Sequence, residues 1–172
     1  MIKSITVLAI MLGATILLFA PMFSVNPIRF IYNPSPSTPI GFYRIKAASN
    51  LKRGVYIVVP TPPAFREMAA NRQYLPLNVP LIKQIFAITG DEICRINESI
   101  FVNQKLVALA LKYDSKNRSL PIWQGCIILE GNQFFALMND PNSFDGRYFG
   151  ALNIGDIIGI AIPIFTWKTD EN

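Results

Sequence analysis

Residues 80–91 read PLIKQIFAITGD. Isoleucine occurs at 82, 85 and 88, phenylalanine at 86, and Thr89-Gly90-Asp91 closes the run with turn chemistry. Such a run reads as a buried β-strand. Side chains alternate between the faces of a strand, so Lys83 shares a face with Leu81, Ile85 and Ala87. Ile82, Gln84 and Phe86 take the other face. A lysine on an apolar face is costly unless it is neutral or paired. Its stem can instead lie along the surface while the amine reaches water. On this stretch alone both readings stand.

Working outward, other short runs carry the same signature. Residues 54–60 (GVYIVVP), 127–129, 133–138 and 156–164 are rich in β-branched and aromatic side chains. Residues 99–107 (SIFVNQKLV) read as a hairpin turning near Asn103-Gln104. Residues 63–74 (PAFREMAANRQY) read as a helix, with proline first and apolar positions at Phe65, Met68 and Ala69. Short strands separated by glycine and proline make a mainly β domain. Residues 94–126 form an excursion from the main sheet, with a solvated turn at 114–119 (DSKNRS).

The chain has 172 residues, enough for one domain and an anchor. Apolar residues make up 51% and charged residues 16%, against roughly a quarter charged in an ordinary soluble domain. The skew is local. Residues 5–23 (ITVLAIMLGATILLFAPMF) hold no charge. As a helix they span roughly 29 Å, close to a bilayer core of about 30 Å. A cleaved signal peptide would have a shorter apolar region and a small-x-small cleavage site. The expected organisation is a transmembrane anchor over residues 1–25 and a domain outside the cytoplasm over 26–172. Lys3 sets a weak inside charge bias, opposed by Arg29 and Arg44.

The net charge is +5, and the basic residues are scattered. That fits a domain beside an anionic membrane surface and argues against nucleic-acid binding. Cys94 and Cys126 are the two cysteines. They are too few for a zinc site, so no metal is expected. They form either a disulfide, worth roughly 3–4 kcal/mol in the chain-entropy model, or two separate buried thiols.

The chain has 0 histidines, which excludes Ser-His-Asp and Cys-His chemistry. A metal-free hydrolase would then need Lys, Asp, Glu, Tyr or a terminal amine as its base. Residues 33–43 (NPSPSTPIGFY) hold three prolines around Ser35 and Ser37. They read as a stiff linker or as a preset reaction site. Residues 139–150 (NDPNSFDGRYFG) read as a tight turn in which Asp145 and Arg147 pair and Ser143 caps, or as a hydroxyl and carboxylate orienting a neutral lysine.

Together these clusters resemble the serine–lysine signal peptidases, and among them the TraF-type conjugative transfer peptidases. The first motif is Ser37-Thr38-Pro39-Ile40-Gly41-Phe42-Tyr43, against S-x-P-x-G-[LF]-Y, with Asn33 and Ser35 ahead of it. The second is Tyr74-Leu75-Pro76, then Pro80-Leu81-Ile82-Lys83 and Gly90-Asp91. The third is residues 143–150, against S-x-D-S-R-Y-[FW]-G. Cys94 and Cys126 fall where TraF-like members carry a pair, and the likeness covers roughly residues 5–165. Four positions depart: Thr38 for methionine, Gln84 for a basic residue, Gln104 for glycine, and Gly146 for serine.

The resemblance implies a signal-peptidase-like β-sheet or barrel domain with a small inserted β subdomain, behind one transmembrane helix. It implies a Ser–Lys dyad of Ser37 and Lys83 without any cofactor. The Ser37 N–H and the Ser35 hydroxyl would serve the oxyanion, and Ser143, Asp145 and Arg147 would support the lysine and its loop. The implied setting is the inner membrane, with the domain facing the periplasm. The implied partners are a pilin or other signal-bearing precursor and conjugative transfer (type IV secretion) components. A general type I signal peptidase and a non-catalytic anchored β protein of a transfer apparatus are the competing readings.

Overall fold

A computed structural model of the chain describes residues 2–19 and 29–167. Helix α1, Ile2–Phe19, is followed by β1 (Phe30–Asn33), β2 (Ile40–Lys46), β3 (Tyr56–Val59), α2 (Pro63–Asn71) and β4 (Leu81–Ile88). Next come β5 (Glu92–Ile96), β6 (Ser99–Val102), β7 (Lys105–Leu109), β8 (Gly125–Ile128) and β9 (Gln133–Ala136). The short α3 (Gly146–Phe149), β10 (Leu152–Asn153), a 3-10 turn at Ile154–Asp156 and β11 (Gly159–Trp167) complete the order.

Among the described residues, eleven strands form two antiparallel sheets. The larger has seven strands in the order β1-β2-β11-β3-β4-β9-β10, and the smaller has four in the order β7-β6-β5-β8. The smaller sheet is inserted between β4 and β9. The strand expected in residues 80–91 is β4, which lies between β3 and β9 with Leu81, Ile82, Ile85 and Ala87 buried. One apolar core joins the two sheets through Ala87, Ile93, Ile100, Leu129, Phe135 and Tyr148. A second lies under the large sheet around Ile57, Leu81, Ile85 and Phe134. At about 25 cal/mol per Å² of apolar surface, burial of Leu81, Ile85 and Ala87 on one face and Ile82 on the other holds β4 firmly.

Residues 30–46 form a hairpin, β1 on β2, where the sequence showed only an apolar piece and a proline-rich stretch. Proline breaks the pattern a strand is recognised by, yet here the prolines occupy the connection and spare the ladder. Gly41 has φ +143, and a Cβ there would lie 2.1 Å from the Phe165 carbonyl oxygen. Only glycine lets β11 close onto β2 at that point. The predicted 99–107 hairpin is β6–β7. Its turn residues Asn103 and Gln104 both adopt positive φ, 50° and 65°, the geometry of a two-residue type I′ connection.

Cys94 on β5 and Cys126 on β8 sit directly opposite each other and are bonded, which removes the two-thiol alternative. The 114–119 turn is not wholly solvated: the Asp114 side chain is only 8% exposed.

Among the described residues, no helix is long and apolar enough to cross a membrane. Helix α1 has 18 residues, about 27 Å at 1.5 Å per residue. The apolar run over 5–23 continues past it into residues 20–23, which lie outside the described residues. Along α1, Val7, Leu8, Ile10, Met11, Leu12, Ile16 and Leu17 are all exposed.

Candidate active site

Asn33 ends β1, and its side chain organises the connection that follows. Its Nδ2 donates to the carbonyls of Ser35 at 2.8 Å and Thr38 at 2.9 Å, and its Oδ1 accepts the Ser35 N–H at 3.2 Å. Thr38 is buried, and its hydroxyl donates to the Ile82 carbonyl at 2.9 Å. The Tyr43 hydroxyl donates to the Pro39 carbonyl. Fixed φ at Pro34, Pro36 and Pro39 leaves few backbone torsions free. The segment is therefore pinned to β4 one residue from Lys83. The Ser35 and Ser37 hydroxyls end up 3.1 Å apart on the same side.

Lys83 does not reach water; it is 4% exposed. Its amine lies 3.2 Å from the Ser37 hydroxyl and 2.9 Å from the Ser143 hydroxyl. No carboxylate is within salt-bridge distance of it among the described pairs. Burial pulls its pKa down from 10.5 to about 8, with Arg147 pushing the same way and Asp145 and Asp140 opposing. At that value about a tenth of the amine is neutral at pH 7. A neutral amine beside a hydroxyl has the chemistry to take that hydroxyl's proton.

Ser143 is held by the turn before α3. Asp145 is fully buried and caps α3, accepting the Arg147 N–H at 3.1 Å and the Met138 N–H at 3.0 Å. Burial pushes the Asp145 carboxyl up, while Arg147 and Lys83 pull it down. Arg147 is also buried. Its guanidinium donates to the carbonyls of Asp140, Pro141 and Met138. Its Nε stands 3.7 Å from Asp145 without a hydrogen bond. The pair is thus an electrostatic contact inside a loop tied mainly by backbone carbonyls. A Cβ at Gly146 would lie 2.4 Å from the Ala136 carbonyl oxygen and 2.6 Å from the Phe135 ring. The glycine at that motif position is what lets α3 press onto β9.

Beside the three hydroxyls and the amine lies a cleft of about 480 Å³. Ser35, Ser37, Lys83 and Ser143 sit along one part of its wall, and Leu75, Leu81, Leu120, Phe144 and Tyr148 line the apolar remainder. The arrangement suits an extended peptide presenting one carbonyl to Ser37.

The signal peptidase family, peptidase S26, matches residues 2–167. The chain belongs to the signal peptidase family. Membership carries serine peptidase activity, and relatives place the chain in the TraF-type branch. It is 30% identical over 146 residues to the plasmid transfer protein TraF of Escherichia coli, covering 78% of this chain and 82% of that one. It is 29% identical over 145 residues to the conjugal transfer protein TraF of Agrobacterium fabrum, covering 78% and 81%. A crystal structure of a signal peptidase I from Enterococcus faecalis aligns over 66% of this chain and 98% of that chain. Its TM-score is 0.39 and its identity 17%.

The first of the three sequence clusters supplies Ser35 and Ser37, the second Lys83 and the third Ser143, with Asp145 and Arg147 one layer further from the cleft. Sequence reasoning missed the Thr38 anchor, because a hydroxyl bonding a carbonyl 44 residues away leaves no local pattern. It also missed that Asp114 and Ser115, from the inserted sheet, reach the cleft.

Proposed function

We propose that this protein is a membrane-anchored serine endopeptidase with a Ser37–Lys83 dyad that processes a membrane-inserted precursor. The substrate that fits its transfer-protein relatives is the pilin precursor of a conjugative apparatus. The observation that carries the reading is the buried Lys83 amine, held between the hydroxyls of Ser37 and Ser143 with its pKa lowered.

In this mechanism neutral Lys83 takes the Ser37 proton as Oγ attacks the scissile carbonyl carbon. The resulting oxyanion is met by the Ser37 N–H and the Ser35 hydroxyl, and one such donor is worth roughly 3–4 kcal/mol. Lys83 then returns the proton to the leaving amine, and the C–N bond breaks to leave an ester on Ser37. Water, or the precursor's own amino end, resolves that ester. Ser143 orients the amine without holding it charged, because a hydroxyl stabilises an ammonium less than a carboxylate does. Asp145 and Arg147 hold the loop.

The apolar, exposed surface of α1 supports an anchor within residues 1–25, with residues 26–172 on the periplasmic side. An anchored enzyme and an anchored substrate meet in one plane at raised effective concentration. The test is co-expression with candidate pilin precursors and mass spectrometry of the mature subunit. The reading predicts cleavage that depends on Ser37 and Lys83, with a mass one water lower still if the subunit is cyclic. Full-length precursor persisting beside the wild-type enzyme would oppose it.

A further inference from the structure

One wall of the cleft does not come from the large sheet. Residues 111–120 lie within the connection between β7 and β8 of the inserted sheet, and Leu111, Asp114, Ser115 and Leu120 from this loop line the same cleft as Ser37 and Lys83. The loop is tied to the body at several places, two of them between residues that line the cleft. The Leu111 N–H donates to the Tyr148 hydroxyl at 3.1 Å. The Tyr74 hydroxyl, just beyond α2, donates to Asp114.

Asp114 is the hub of the second tie. It also accepts Arg118 Nε at 2.7 Å and the backbone N–H groups of Lys116 and Arg118, each at 2.9 Å. Burial favours its protonated form, but the donors at Tyr74, Arg118 and Lys116 outweigh that and hold it well below the usual carboxylate range. Arg118 lies over the Tyr74 ring with its guanidinium carbon 5.5 Å from the centroid. Arg72 donates to the Ser119 carbonyl at 2.7 Å. Tyr74 in turn packs edge-to-face on Phe144, 5.2 Å between centroids, and Phe144 follows Ser143 in the chain. The loop is thus linked, through the rings of Tyr74 and Phe144, to Ser143, the partner of the lysine amine.

We propose that loop 111–120 is a specificity-determining wall of the peptidase cleft, latched over it by Asp114 and Tyr74. The apolar chamber it closes, between Leu75, Leu111, Leu120, Phe144 and Tyr148, seats one large apolar side chain of the precursor. This rests on the peptidase reading above. A chamber of this kind discriminates by size, and one or two missing methylenes in such a pocket are worth about tenfold or more in kcat/KM. Tyr74 and Asp114 act as positioning residues, since they hold the wall and do not touch the reacting atoms.

The test uses full-length protein in detergent micelles and internally quenched peptides on a small-residue background, each carrying Ala, Leu or Phe at one position in turn. The wild type should favour Leu or Phe over Ala by about tenfold at one position. Leu111 is exposed on the cleft side, so Leu111→Trp fills the chamber and should invert that ratio. Tyr74→Phe removes only the latching hydroxyl and should move the ratio toward one, through KM more than kcat. A wild type with no size preference at any position overturns the wall, as does a Leu111→Trp loss equal for all peptides. Failure to cleave any peptide while a serine-directed acylating reagent still modifies Ser37 also overturns the wall alone. Absence of Ser37 acylation overturns the peptidase reading and the wall with it.

Discussion

Lys83 Nζ lies 2.9 Å from Ser143 Oγ, and both groups are buried. The contact fixes the amine toward Ser37 without supplying a negative charge. Ser143→Ala leaves a buried amine with one partner fewer. We expect kcat to fall about tenfold to a hundredfold with KM little changed, read by steady-state cleavage of a precursor peptide. An unchanged kcat would mean that Ser143 is a bystander.

The lowered Lys83 pKa makes two pH predictions. Activity should rise with pH to a plateau, with an apparent pKa of about 8 set by burial. Stability follows the same group. Below pH 8 both folded and unfolded chains carry the proton, and the folded state bears the full burial penalty. Between about 8 and 10.5 the folded state has released its proton while the unfolded chain keeps it, so stability rises with pH across that window. The gap corresponds to roughly 3 kcal/mol. Lys83→Met should therefore be more stable than the wild type at pH 7, with the difference shrinking toward pH 10.5 in denaturant titrations. A pH-independent difference would contradict a neutralised lysine.

Gly146→Ser should destabilise the domain. The added Cβ would overlap the Ala136 carbonyl and the Phe135 ring, and overpacking of this kind costs typically 1–3 kcal/mol. Thermal unfolding reads the effect. An unchanged midpoint would mean that β9 and α3 can part without loss.

Replacing both Cys94 and Cys126 by alanine opens a link across 32 residues. The chain-entropy model gives a loss of about 3–4 kcal/mol. The midpoint of unfolding should fall, while Ser37 acylation under native conditions persists, because the bond ties β5 to β8 and touches neither Ser37 nor Lys83. Loss of acylation with the fold intact would show that the inserted sheet orders the dyad.

The sequence made some parts legible and hid others for physical reasons. The β-branched apolar run around Lys83 and the turn at Asn103-Gln104 are local, so β4 and the β6–β7 hairpin could be read directly. The β1–β2 hairpin could not, because prolines at 34, 36 and 39 mask a ladder that depends on pairing across them. Ser37, Lys83 and Ser143 emerged from motif order, not from any visible proximity; their meeting depends on Thr38 bonding Ile82 and on the loop that Arg147 ties through carbonyls. The reach of loop 111–120 into the cleft was invisible, because DSKNRS has the composition of an ordinary exposed turn while its aspartate is sequestered by Tyr74 and Arg118.

The central claim is that Ser37 is a nucleophile activated by Lys83. Intact-mass spectrometry of the full-length protein after treatment with a serine-directed acylating reagent at about pH 8, followed by peptide mapping, tests it most directly. The account predicts a single adduct on Ser37 in the wild type, and no adduct at that position in Ser37→Ala or Lys83→Ala. An adduct on Ser37 forming at the wild-type rate in Lys83→Ala, or a wild-type adduct on a different serine, would contradict it.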